Sequence, residues 1–267
     1  MTNHIPGESA ADRWARQLGE WAIPDEILAA APQTPFVFTP EMFAAAPPGS
    51  TARSRCSEIA MAAIPENGTV LDVGCGGGAA AFALLPRVAR VIGTDRQQDM
   101  IDLFLATAAE RDVPATGVCG PWPDVADEVA AADVVVCHNV LYNAPDIVAF
   151  ARALDGHAAN RVVLEITEFH PQTVRAPLWK EFWNIDRPAV PTGWTAAEAL
   201  SDAGFAVNVE RSTSTRRDDG RASSVEAAFW TRRLCLPAER EPEVAAAVEH
   251  IEFPSERLAI WWDTRTT

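Results

Sequence analysis

A chain of 267 residues with 48% hydrophobic content is long enough to bury a sizeable core in one large domain with an appendage. Its formal net charge of −15, with Lys180 as the only lysine, argues against a nucleic-acid partner, because phosphate binding needs clustered basic side chains that release counterions. The five cysteines (Cys56, Cys75, Cys119, Cys137, Cys235) form no C-x-x-C pair and stand at no zinc-finger spacing from a histidine, so reduced thiols and no metal site are expected.

The opening MTNHIPGESAADRW has no basic region followed by an apolar run, and no segment approaches the roughly 20 apolar residues that span a bilayer. A cytoplasmic protein without a membrane partner is the expectation. Local arginine clusters sit beside acids, as in Arg216-Arg217-Asp218-Asp219, which offsets them.

Helices are predicted over 10–21 and 25–31, followed by the Pro-punctuated segment PQTPFVFTPEMFAAAPPGS. Residues 1–50 thus read as an N-terminal helical and aromatic cover, and 51–267 as the main domain. In that domain, strands are predicted over 69–73, 88–94, 116–119, 132–137 and 161–167, with helices over 79–85, 97–109 and 144–154 between them. Such βα alternation is the pattern of a mostly parallel sheet covered on both faces. An insert over about 171–192, rich in Trp and Pro, interrupts the repeat and is predicted to cover a pocket. A helix over 195–203, a strand over 205–212, helices over 223–236 and 241–249 and a closing strand over 257–262 complete the chain.

The informative stretch is Val70-Leu71-Asp72-Val73-Gly74-Cys75-Gly76-Gly77-Gly78, an apolar strand running into a glycine-rich turn that opens a helix. Glycines let the backbone turn sharply and approach a ligand, and helix N-terminal N–H groups favour an anion. Asp95 ends the next strand, 21 positions beyond Gly74, where an acid accepts hydrogen bonds from both hydroxyls of a ribose. Two cofactors fit this pair, because Ala79 also completes the dinucleotide pattern G-x-G-x-x-G/A. Asp72 favours a cationic sulfonium and ammonium ligand over a pyrophosphate. A Tyr-x-x-x-Lys dehydrogenase pair is impossible, since Asp146 stands four residues after the only tyrosine, Tyr142.

With these residues, the stretch from about Thr51 to Leu154 resembles the class I S-adenosylmethionine-dependent methyltransferases, through the D-x-G-x-G-x-G loop, the acid of GTDRQQDM and the strand ending Cys137-His138-Asn139-Val140-Leu141-Tyr142. TRRLCLPAER and LAIWWD are similar to C-terminal pieces of uncharacterised bacterial members. The resemblance implies an α/β, Rossmann-like, doubly wound and mostly parallel seven-stranded sheet with an antiparallel final strand. It also implies that Asp72, Gly74, Cys75 and Gly76 surround the methionine moiety, with Gly78 also binding the cofactor, that Asp95 binds the ribose and Arg96 flanks the adenine, and that Asn139 approaches the methionine end through its backbone. An acid usual after the third strand is missing from Cys119-Gly120-Pro121-Trp122, so Trp122 is expected to stack on the adenine. His170, in ITEFHP, is the candidate general base and Tyr142 a candidate to orient the acceptor, with His138 a structural histidine. The expected function is methyl transfer to a small-molecule acceptor. A nicotinamide-dependent oxidoreductase and a non-catalytic cofactor-binding module are the alternatives.

Overall fold

In a computed structural model, residues 5–40, 43, 54–213, 223–249 and 256–264 are described. The expectations for Arg216 to Asp219, for Thr51 and for 41–42 and 44–50 of the Pro-punctuated segment lie outside these residues. The chain runs α1 (Ala10–Gly19), α2 (Asp25–Ala30), α3 (Arg55–Ala63), β1 (Gly68–Val73), α4 (Ala79–Phe82), β2 (Val88–Asp95), α5 (Gln98–Glu110) and β3 (Ala115–Cys119). It continues through β4 (Ala132–His138), α6 (Ile147–His157), β5 (Ala158–Thr167), α7 (Ala176–Trp183), α8 (Gly193–Asp202), β6 (Asn208–Thr213), α9 (Ser223–Arg233), α10 (Glu241–Val248) and β7 (Glu256–Asp263).

The strands form one seven-stranded sheet in the order β3-β2-β1-β4-β5-β7-β6, with β7 antiparallel to both its neighbours and the other paired strands parallel. This is the doubly wound sheet with a reversed final strand that the sequence led us to expect. Side-chain alternation divides its core into two layers. Leu71, Val73, Val135, Cys137, Val162 and Leu164 pack on the side of α6, α8 and α1, whereas Val70, Val134, Val136 and Val163 pack on the side of α3 to α5.

Helix α1 belongs to the first of these layers. Ser9 caps it by accepting the N–H of Asp12, and Trp14, fully buried, donates its indole N–H to Ala144 O at 2.8 Å. A third, smaller core joins α2, α7, α9 and α10 through Ile27, Leu178, Trp179, Phe229, Leu234 and Val244. The insert is an excursion whose two ends meet, since Phe169 and Thr192 pair as an isolated bridge. Together with the stretch between β6 and β7 it makes a helical layer. No described helix is long and apolar enough to cross a membrane.

Two local departures have physical causes. The helix expected over 79–85 stops at Phe82, because Pro86 disfavours helical backbone before it. Helix α3 was not anticipated, although Ser54, which accepts the Ser57 N–H, is an ordinary N-cap.

Candidate active site

The glycine loop turns through Gly74, Gly76 and Gly78, all with left-handed backbone at φ +72°, +48° and +82°. The N–H groups of Gly74 and Cys75 both donate to Thr94 O, at 2.8 and 2.9 Å, which hooks the loop onto the end of β2. One residue further, Asp95 Oδ2 accepts the Gly76 N–H at 3.1 Å, and Asp95 Oδ1 accepts the Gln97 N–H at 3.1 Å. Loop and acid therefore meet at one place. A Cβ at Gly74 would lie 2.4 Å from Val140 Cγ2, so the residues after β4 close against the same loop.

Asp72 lies under this loop with 1% of its surface exposed, and its Oδ2 accepts the Ala81 N–H at 3.1 Å. Burial pushes its carboxyl from an ordinary 3.8 up to about 8, opposed by the Ala81 hydrogen bond and assisted by the charge of Asp95. The first turn of α4 already spends one N–H on Asp72 and so has one fewer to offer a phosphate. The linkage sign follows. Between about pH 4 and 8 the unfolded chain releases a proton that folded Asp72 keeps, so stability falls as pH rises through that window. Urea unfolding of the ligand-free protein at pH 7 and 8 is expected to show this decline, by up to about 1.4 kcal/mol per unit, above the range in which His170 and His138, both lowered by burial, oppose it. Asp72→Asn is expected to flatten it.

Beyond β4, Asn139 has left-handed backbone at φ +61°, donates its N–H to Glu165 O at 2.7 Å and is held by its side chain to Glu165 Oε1 at 3.3 Å. Its neighbour His138 is shifted down by burial, with Glu165 opposing, and its buried Nε2 has no hydrogen-bond partner. Tyr142 donates its hydroxyl to Thr167 O at 2.9 Å and stacks on Trp14 at 5.4 Å between centroids. Burial pushes that hydroxyl up, so it stays protonated. Burial likewise raises the Cys75 and Cys137 thiols, which removes them as nucleophiles.

His170 lies edge-on to Tyr142, 4.8 Å between centroids, and stacks on Trp21 at 4.0 Å. Its Nδ1 accepts the Gln172 N–H at 3.2 Å, which assigns the ring proton to Nε2. Burial first, and then the charges of Arg233 and Arg187, lower it to about 3. The general-base role expected from its position does not fit this environment. A neutral imidazole with its free nitrogen protonated is a hydrogen-bond donor, and so low a proton affinity gives a poor base at neutral pH.

The cover reaches the Asp95 end of the loop. Gln97 exchanges two hydrogen bonds with the Phe38 backbone, both 2.9 Å, and Arg96 donates to Phe36 O. Phe43 lies over Gly76, where an added Cβ would meet its Cβ at 3.5 Å. Trp122 turns the other way. Its indole donates to Phe150 O at 3.4 Å and packs edge-on against His157, so α6 holds the ring expected to stack on an adenine. Sequence reasoning missed Gln97, two residues past Asp95, and the Trp21 stack. Spacing alone gives no signal for a contact between residues 21 and 170.

Comparison with known proteins agrees with this geometry. A family model described as a methyltransferase domain matches residues 70–159. A ubiquinone biosynthesis O-methyltransferase of Chromobacterium violaceum is 36% identical over 85 residues, covering 32% of this chain and 37% of that protein. The Coxiella burnetii protein of the same name is 31% identical over 77 residues, covering 29% and 33%. The match thus spans about a third of the length of these relatives. Among solved structures, a putative methyltransferase of Bacillus halodurans superposes with a TM-score of 0.52 at 17% identity, covering 79% of this chain and 98% of that one. Magnesium protoporphyrin IX methyltransferase from Synechocystis, with bound SAH, gives 0.50 at 17%, covering 94% and 84%. With its glycine loop, strand order and matched segment in agreement, the chain carries over residues 70–159 a segment that matches the methyltransferase-domain family.

Proposed function

We propose that this protein transfers the methyl group of S-adenosylmethionine to a small-molecule acceptor. The observation that carries the reading is the meeting of the glycine loop and Asp95 through the Gly76 N–H, with buried Asp72 beneath. When bound, the cofactor supplies a methyl group already activated by a sulfonium leaving group, so the protein's work is orientation and exclusion of water. In this reading Asp72, Gly74, Cys75, Gly76 and Gly78 take the methionine end, with the backbone of Asn139 beside them. Asp95 takes the ribose hydroxyls, and Arg96 takes the adenine side together with the strap at Phe36 to Phe38.

Tyr142 and His170 line the acceptor side, adjoining Val140 and hence Gly74. Tyr142 orients by packing, because its hydroxyl is committed to Thr167 O. His170 donates from Nε2. Titration calorimetry with S-adenosylmethionine, S-adenosylhomocysteine and NADPH tests the reading: micromolar binding of the first two with none of the third is expected, and the reverse order overturns it. Methylation of no member of a broad acceptor panel by a cofactor-binding preparation points instead to a binding module.

A further inference from the structure

In a chain with net charge −15, arginines gather over the strand ends without carboxylate partners. Arg187 donates from Nη1 to Ala22 O at 2.9 Å and to Trp21 O at 3.3 Å, lies 4.0 Å from the Trp179 ring centroid, and keeps a buried Nε without a partner. Arg233 donates to Pro35 O at 2.8 Å and lies 5.5 Å from the centroid of Phe38, the ring that Arg96 approaches at 5.9 Å. Among the described residues none of these three arginines forms an ion pair. Arg175 shows the usual arrangement: fully buried, it is paired with Glu226 at 2.5 Å.

A guanidinium removed from water is costly unless an opposite charge meets it, and neutral carbonyls do not supply one. Burial lowers Arg233 to about 10, and the nearby positive charges of Arg96 and Arg232 lower it as well. Like charges thus gather around half-buried Arg233, whose bond to a carbonyl leaves its charge unmatched. Arg187 lies 6.0 Å from the centroid of Trp21, which stacks on His170 at 4.0 Å, and the charge of Arg233 bears on the same imidazole, whose Nε2–H is a further donor. That imidazole stands beside Tyr142 at the end of β4, on the acceptor side of the glycine loop.

We propose that Arg187, Arg233 and the Nε2–H of His170 bind a carboxylate carried by the methyl acceptor, making the acceptor class a small aromatic carboxylic acid. Three donors with two positive charges match an anionic group, and the guanidinium fork matches the planar carboxylate. The ring planes of Trp21 and His170, stacked beside Arg187, favour a flat molecule next to that anion. The inference rests on the methyltransferase reading above, and its failure is separable from the failure of that reading.

Cofactor affinity is measured first, by calorimetry with S-adenosylhomocysteine. Loss of that binding in the unaltered protein refutes the methyltransferase reading itself. The protein saturated with S-adenosylhomocysteine is then titrated with matched pairs: benzoate and benzamide, 4-hydroxybenzoate and 4-hydroxybenzamide, cinnamate and cinnamamide, and 2-naphthoate and 2-naphthamide. At least one carboxylate is expected to bind about tenfold or more tightly than its amide, and Arg187→Gln or Arg233→Gln to remove about tenfold of that affinity, with cofactor affinity within about twofold in Arg187→Gln, which leaves the Phe36 to Phe38 strap untouched. Arg233→Lys, which keeps the charge but not the fork, is expected to fall between, and serves if the glutamine variants do not fold. No carboxylate preference in any pair, a preference that survives both substitutions, a tighter response to phenyl phosphate, or loss of cofactor affinity in Arg187→Gln each overturns the assignment.

Discussion

Asp95→Ala is expected to weaken binding of both S-adenosylmethionine and S-adenosylhomocysteine by about 100-fold, because hydrogen bonds from two ribose hydroxyls to a carboxylate are together worth about 3 kcal/mol. The carboxylate is already held in place by the backbone. Its two oxygens each accept one backbone N–H, from Gly76 and Gln97, so the carboxylate plane is set by the loop and by the start of α5. Lone pairs remain on both oxygens for the ligand. Asp95→Asn keeps one acceptor and loses the charge, and is expected to weaken binding by about tenfold. Calorimetry on the three proteins, with circular dichroism to show that the sheet persists, measures the series. Unchanged affinity in Asp95→Ala would refute the ribose assignment.

Gly78→Ala is expected to be the most damaging single methyl in the loop, costing about 3 to 4 kcal/mol from left-handed backbone strain and overpacking combined. The added Cβ would stand 2.1 Å from Phe82 Cε2 and 2.9 Å from Phe104 Cδ2. Neither ring has room to retreat: Phe82 and Phe104 stack at 5.3 Å, and Phe104 is fully buried under the sheet. A loss of that size is a large share of the stability of an ordinary domain and lowers Tm by about 10 °C. Gly204 provides the control, since its φ of +94° is also left-handed but nothing lies within 4 Å of an added Cβ. Gly204→Ala is expected to cost about 1 to 2 kcal/mol, the backbone contribution alone. Equal losses in the two variants, read by urea unfolding, would show that the Phe82–Phe104 contact yields.

The sheet and the cofactor end of the site were legible because their information is local. An apolar strand, a glycine turn and an acid at the next strand end lie within thirty or so residues, and the parallel register of Asp72 with Gly93 and of Val73 with Thr94 brings them together without help from the rest of the chain. The acceptor end was not legible, for the opposite reason. Arg187, Arg233, Trp21 and His170 come from four separate segments and meet only when α2, α7 and α9 share one apolar core. The surroundings of Trp122, expected from its position after β3 to stack on an adenine, were not legible either: Phe150 O and the edge of His157 hold it from α6. His170 was singled out by position, and the donor role proposed for it rests on the backbone N–H of Gln172, a contact that spacing does not reveal.

The paired hydrogen bonds between Gln97 and Phe38 are two rungs that fasten the aromatic strap. With Phe43 lying on Gly76, the strap that carries Phe38 covers the loop. Each rung is worth only about 1 kcal/mol, so the strap is lightly latched at Gln97, and a nucleoside in the proposed site would be covered without being sealed.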